Sequence, residues 1–228
     1  IIAGVILLLC YHIYELKLRW KNGSCGRENT IVFYRHKTDY DIGCRGIARA
    51  EQFFQKFGFY TDTPIAVFFE FRVPVDKEIY DPEQIWGYFS ITSQYALLPS
   101  NVSPLLKKSR LNFFRVGVNR KQNLEELLTL TVAHEVAHPL ALYNFEIQTN
   151  MHVAPHEKTK MGHAVQEYIA AIVQFSSMES SYRDEIMAQF NTNLIFNHEQ
   201  EINHLLFSHS PQEFYIMSYR HFQSLDRN

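Results

Sequence analysis

Residues 123–139 read Asn123-Leu124-Glu125-Glu126-Leu127-Leu128-Thr129-Leu130-Thr131-Val132-Ala133-His134-Glu135-Val136-Ala137-His138-Pro139. Asn123 followed three residues on by Glu126 is a variant of the capping box that opens helices. Leu124, Leu127, Leu128, Thr131 and Val132 then give one apolar helical face. On a helix, positions i and i+4 share a face, so His134 and His138 aim their imidazoles at one spot. Two neutral imidazoles a turn apart can hold one Zn²⁺. Glu135, one residue beyond the first histidine, can reach a water beside such an ion without being a ligand, which is where a general base belongs. Pro139 lacks an N–H and clashes with the preceding turn, so the helix is expected to bend or end there, with both histidines in its last turn. A helix built only for packing has no use for His-Glu at this point, because burying them without partners is costly.

The pentapeptide resembles the H-E-x-x-H signature of the zincin metallopeptidases. The metzincin extension is absent: Ala141 stands at its glycine position and Asn144 at its third histidine. The gluzincin branch takes a glutamate from a following helix instead. The chosen glutamate is Glu167, in Gly162-His163-Ala164-Val165-Gln166-Glu167-Tyr168-Ile169-Ala170-Ala171, on a helix expected from about Gly162 to Met178. This run is similar to an uncharacterised family of secreted bacterial proteins with the same two-helix arrangement, and the likeness covers about residues 123–178. The resemblance implies a zincin-like α+β fold, with a small mixed sheet in the N-terminal half and a helical half that carries the zinc site. It implies one Zn²⁺ per chain on His134, His138 and Glu167, and hydrolysis of a peptide bond, in a peptide or protein of unknown identity, with Glu135 as base and then proton donor. Two other readings stay open: an exported zinc-binding scaffold without catalysis, and a zinc amidase acting on a non-protein amide.

Glu146 and Glu157 rival Glu167, and His152, His156 and His163 are alternative ligands. Many gluzincins carry an aspartate four residues after the ligand glutamate, where it orients the first histidine. Here that position is Ala171, so the outer partner of the ligands is unidentified. An oxyanion donor is also needed. Tyr215, Tyr219 and His221 are candidates on a helix opened by Ser210-Pro211, with Tyr219 foremost, and the role stays unassigned.

The chain of 228 residues suits one domain with a real core. A hydrophobic content of 46% marks a globular protein, and a net charge of −2 leaves no electrostatic footprint for nucleic acid. The cluster Lys107-Lys108-Ser109-Arg110 reads as a solvated loop. The apolar run Ile1 to Cys10, followed by Lys17, Arg19 and Lys21, reads as a signal-peptide remnant or membrane anchor over residues 1–22, with the metallopeptidase domain over 23–228. Cys10 makes a poor lipid-attachment site, since Leu9 precedes it where small residues are usual. The body is therefore expected to be exported: periplasmic, secreted, or membrane-attached through its N-terminus. Cys25 and Cys44 form an even pair in such a domain and read as one disulfide. Strands are expected at Thr30–Tyr34, Ile65–Val73, Ile85–Thr92 and Asn112–Val118, with turn chemistry over Ser100–Pro104 and a first helix over Ile47–Phe57.

Overall fold

The computed structural model describes residues 21–70, 88–90, 95–99, 120–149, 161–190, 195–196 and 198–225. Residues 1–20 of the expected leader, the basic cluster at 107–110, the 100–104 turn, the 112–118 strand, and His152, His156 and Glu157 lie outside these residues.

The fold is α+β. Strands β1 (Lys21–Ser24), β2 (Thr30–Tyr34), β3 (Ile65–Glu70), β4 (Tyr88–Ser90) and β5 (Tyr95–Pro99) form one sheet in the order β1-β2-β3-β5-β4. The sheet is mixed: β2, β3 and β5 run parallel, and β1 and β4 close the two edges antiparallel. β1 takes in Lys21 and Asn22, so the sheet begins inside the stretch expected to be leader. Side chains alternate along β3, where Ile65, Val67 and Phe69 are buried. β5 was not expected. Its Tyr-Ala-Leu-Leu-Pro run is too short to show a period, and it owes its strand state to pairing with β3.

Helix α1 (Lys37–Lys56) starts ten residues before the expected Ile47. Glycine weakens a helix by about 1 kcal/mol relative to alanine, and two of them, Gly43 and Gly46, sit in the early part. Tertiary packing explains both. A Cβ on Gly43 would meet Val32 of β2 at 2.9 Å and Phe69 of β3 at 3.1 Å. A Cβ on Gly46 would strike Val132 and come within 2.7 Å of the Thr129 carbonyl. The bare face of α1 thus lies directly on the sheet and on the next helix. The Cys25–Cys44 disulfide ties the β1–β2 connection to this helix, with Cα atoms 5.2 Å apart.

Helix α2 (Arg120–Thr149) carries His134-Glu135-Val136-Ala137-His138. Two expectations about it are corrected. It is already under way at Asn123, and Glu126, read as a capping partner, instead makes a two-bond contact with Arg49 of α1 at 2.6 and 3.0 Å. It also runs ten residues past Pro139, so the histidines sit in its middle rather than its last turn. An interior proline costs about 3 kcal/mol. Burial of Leu140, Ala141 and Asn144 beyond it offsets that cost. Asn144 adds a clamp, exchanging hydrogen bonds with the Tyr60 backbone N–H and carbonyl, each at 2.8 Å.

Beyond α2 every described element is helical: α3 (His163–Ser176), α4 (Ser180–Ala188), a 3₁₀ turn (Glu199–Glu201), α5 (His204–His209) and α6 (Pro211–Leu225). One core cluster joins the sheet, α1, α2 and α3, and two smaller ones gather around α6. Ala133 and Ala137 of α2, with Ala170 and Ala171 of α3, are fully buried. These small side chains suit the close approach of the two helices. Among the described residues, no helix is long and apolar enough to cross a membrane.

Candidate metal centre

α2 and α3 bring His134, His138 and Glu167 together. One ligand atom from each lies within 4.8 Å of the others, and all three side chains are buried. Nε2 of His134 is 3.3 Å from Glu167 Oε2, and Nε2 of His138 is 3.7 Å from Oε1. The imidazole ring centroids are 5.2 Å apart. The helical spacing put both rings on one face, and the packing of α3 across that face supplies the carboxylate.

The donor set could hold a metal ion. Ligand atoms about 2.0–2.1 Å from a tetrahedral zinc ion stand roughly 3.3–3.4 Å from one another. The histidine–carboxylate separations of 3.3 and 3.7 Å are near that value, though they go to different oxygens of Glu167, and one donor atom from each of the three residues lies within 4.8 Å of the others. Two imidazole nitrogens and one carboxylate oxygen also leave a fourth position open, as catalytic zinc sites require. His134 and His138 with Glu167 would hold the ion.

The other residues expected at the site separate cleanly. Glu146 is half-buried on α2 and does not join the trio. Asn144 is committed to the Tyr60 backbone. His163, one turn before Glu167, places Nε2 3.5 Å from Glu167 Oε1, but its side chain is 48% exposed. It stands at the rim of the site, outside the trio. Tyr219 is misplaced for the chemistry: it stacks on Phe175 and its hydroxyl accepts from Gln223 Nε2. His221 meets the Tyr168 hydroxyl at 2.8 Å. Tyr215 is the candidate that reaches the trio, donating its hydroxyl to Glu167 Oε2 at 3.1 Å, its ring 5.3 Å from that of His134. Proximity across helices set this order, and the sequence carries no signal of it.

Electrostatics divides the two glutamates. Burial works to raise the Glu167 carboxyl, but the hydrogen-bonding His134 and the charges of His138 and His163 overcome it and bring it down to about 2. Burial also works against a charged His134, yet Glu167 and Glu135 hold its proton above the usual histidine range. His138 goes the other way, to about 4, through burial and its histidine neighbours, against the pull of Glu167. Glu135 is pushed up to about 7 by burial and by Glu167, against the pull of His134. The site therefore pairs an ionised ligand carboxylate with a second carboxyl that exchanges its proton near neutrality. Burial drives the Tyr215 hydroxyl well above its ordinary value, so it remains a donor.

Fold and site together define an α+β protein with a buried His-His-Glu centre on two packed helices. The chain belongs to the family described as "Family of unknown function (DUF6639)", which matches residues 32–228. No curated protein and no solved structure matches the chain.

Proposed function

We propose that this chain is a zinc-dependent metallopeptidase of the gluzincin type, with one Zn²⁺ per chain on His134, His138 and Glu167. The observation that carries the reading is the convergence of three buried ligand atoms within 4.8 Å, with the Glu135 carboxyl on the adjoining position of the same helix. When bound, the metal acidifies water and polarises the scissile carbonyl. Glu135 takes the proton of the attacking water and returns it to the leaving amine. In the metal-free chain burial raises the Glu135 carboxyl to about 7, and a nearby cation would favour its ionised, proton-accepting form. Tyr215, neutral and donating to Glu167 at 3.1 Å, would stabilise the developing oxyanion by turning its one O–H from that carboxylate. The substrate is a peptide or protein. The disulfide accords with an exported body, since such bonds persist in oxidising compartments.

The test uses the chain purified without chelator, elemental analysis and a mixture of synthetic peptides. The expected result is about one zinc per chain in wild type and in Glu135→Gln, with hydrolysis by the variant lowered about 10²–10⁴-fold. Absence of zinc from wild type, or full activity in the variant, would overturn the reading.

A further inference from the structure

Among the described residues, Nδ1 of His134 and Oε1 of Gln174 are buried without a hydrogen-bond partner. They are complementary. A histidine that offers Nε2 to a metal carries its proton on Nδ1 and needs an acceptor there. A glutamine Oε1 is an acceptor only. Both residues are only 6% exposed, so water is a poor substitute for either partner.

Their placement follows from the helices. Gln174 lies seven residues beyond Glu167 on α3, two turns along the same face. Along that face His163 meets the carboxylate first, then Glu167 spans His138 and His134, and Gln174 comes last. His138 and His163 meet Glu167 at Oε1 and His134 meets it at Oε2, so the position two turns further along α3 lies towards His134, with its Oε1 buried and unbonded. The terminal torsion of a glutamine has a broad profile, so the amide turns at little cost. The gluzincin resemblance leads one to expect an aspartate at 171 for this task. Ala171, fully buried, has no group to offer. Position 174 lies about one turn further along α3 and carries a longer side chain that ends in an acceptor.

We propose that Gln174 is a positioning residue of the metal centre: its Oε1 accepts the Nδ1–H of His134, which fixes that tautomer and turns Nε2 toward Glu167 and the ion. This rests on the metal-site reading above. Partners of this kind orient ligating histidines, and losing one costs about 10–100-fold in metal affinity.

The experiment compares the full chain with Gln174→Leu, Gln174→Glu and Ile186→Val, the last a mild core change in the cluster around α6. Zinc affinity is read by competition with a chromophoric chelator. The protonated ring nitrogen of His134 is read by NMR of ¹⁵N-histidine-labelled protein, with and without zinc. Gln174→Leu is expected to bind zinc about 10–100-fold more weakly and to lose a slowly exchanging Nδ1 proton. Gln174→Glu, which keeps an acceptor, and Ile186→Val should stay within about threefold of wild type. Equal affinity in wild type and Gln174→Leu, with the proton equally protected, would overturn the proposal. So would a wild-type His134 protonated on Nε2 alone, a result that needs no folded variant. A wild type that takes up no zinc would instead refute the proposed function, and proton protection in the metal-free chains would then decide the Gln174 contact by itself.

Discussion

Glu135→Gln should change how the stability of the metal-free protein depends on pH. The Glu135 carboxyl titrates near 7 in the folded chain and near 4.5 when unfolded, mainly because folding removes it from water. Between those values the folded state binds more protons than the unfolded state, so this group makes stability fall as pH rises. The contribution is complete below about pH 4.5, declines up to about pH 7 and is absent above. At about 1.4 kcal/mol per decade of proton affinity, the decline is on the order of 3 kcal/mol. Glutamine has the same shape and cannot ionise, so the variant escapes the decline. His138 and Glu167 titrate in both proteins and their effects largely cancel in the comparison, whereas His134, held protonated in part by Glu135, loses that part in the variant and takes back some of the gain. The assay is urea denaturation of chelator-treated wild type and variant from pH 4.5 to 8, with midpoints compared at a common slope. The variant should match wild type near pH 4.5 and exceed it by up to about 3 kcal/mol at pH 8. A stability difference that stays constant over this range would show that burial does not hold the carboxyl neutral, and the argument for a base poised near neutrality would fail with it. The same property links folding to function, since a carboxyl kept ready to take a proton is one the fold stabilises poorly when charged.

Three other outcomes are expected. Glu167→Ala should lose zinc to a far greater extent than Glu146→Ala, measured by chelator competition, and the reverse order would mean that the third ligand is misassigned. Gly46→Ala should destabilise the chain by about 1–3 kcal/mol in urea denaturation, because the added methyl meets Val132 and the Thr129 carbonyl and would push α1 off α2; an unchanged midpoint would contradict the close approach. Reduction of the Cys25–Cys44 bond, which closes a loop with a sequence separation of 19, should cost about 3 kcal/mol in the chain-entropy model, and an unchanged denaturation midpoint after reduction would contradict it.

Much of the site was legible from local spacing. His134 and His138 share a face because of helix geometry alone, and that holds for any chain in which residues 134–138 are helical. Cys25 and Cys44 paired as cysteine arithmetic suggested, and Glu167 met the histidines on the helix expected to carry it. Where local signals misled, a tertiary contact had outweighed them. Pro139 looked like a stop, yet α2 continues because packing and the Asn144 clamp stabilise the turns beyond it. Gly43 and Gly46 are poor helix formers that α1 retains because only a bare face fits against β2, β3 and α2.

The sequence by itself therefore determined the shared face of His134 and His138 on α2, the place of Glu135 beside it and the cysteine pairing, since each depends on residue type at short or countable spacing. The tertiary structure decided which tyrosine meets Glu167 and that His163 stays at the rim. Those relations join side chains of different helices, or depend on how a helix face is covered. They follow from how α2, α3 and α6 pack, which no local pattern encodes.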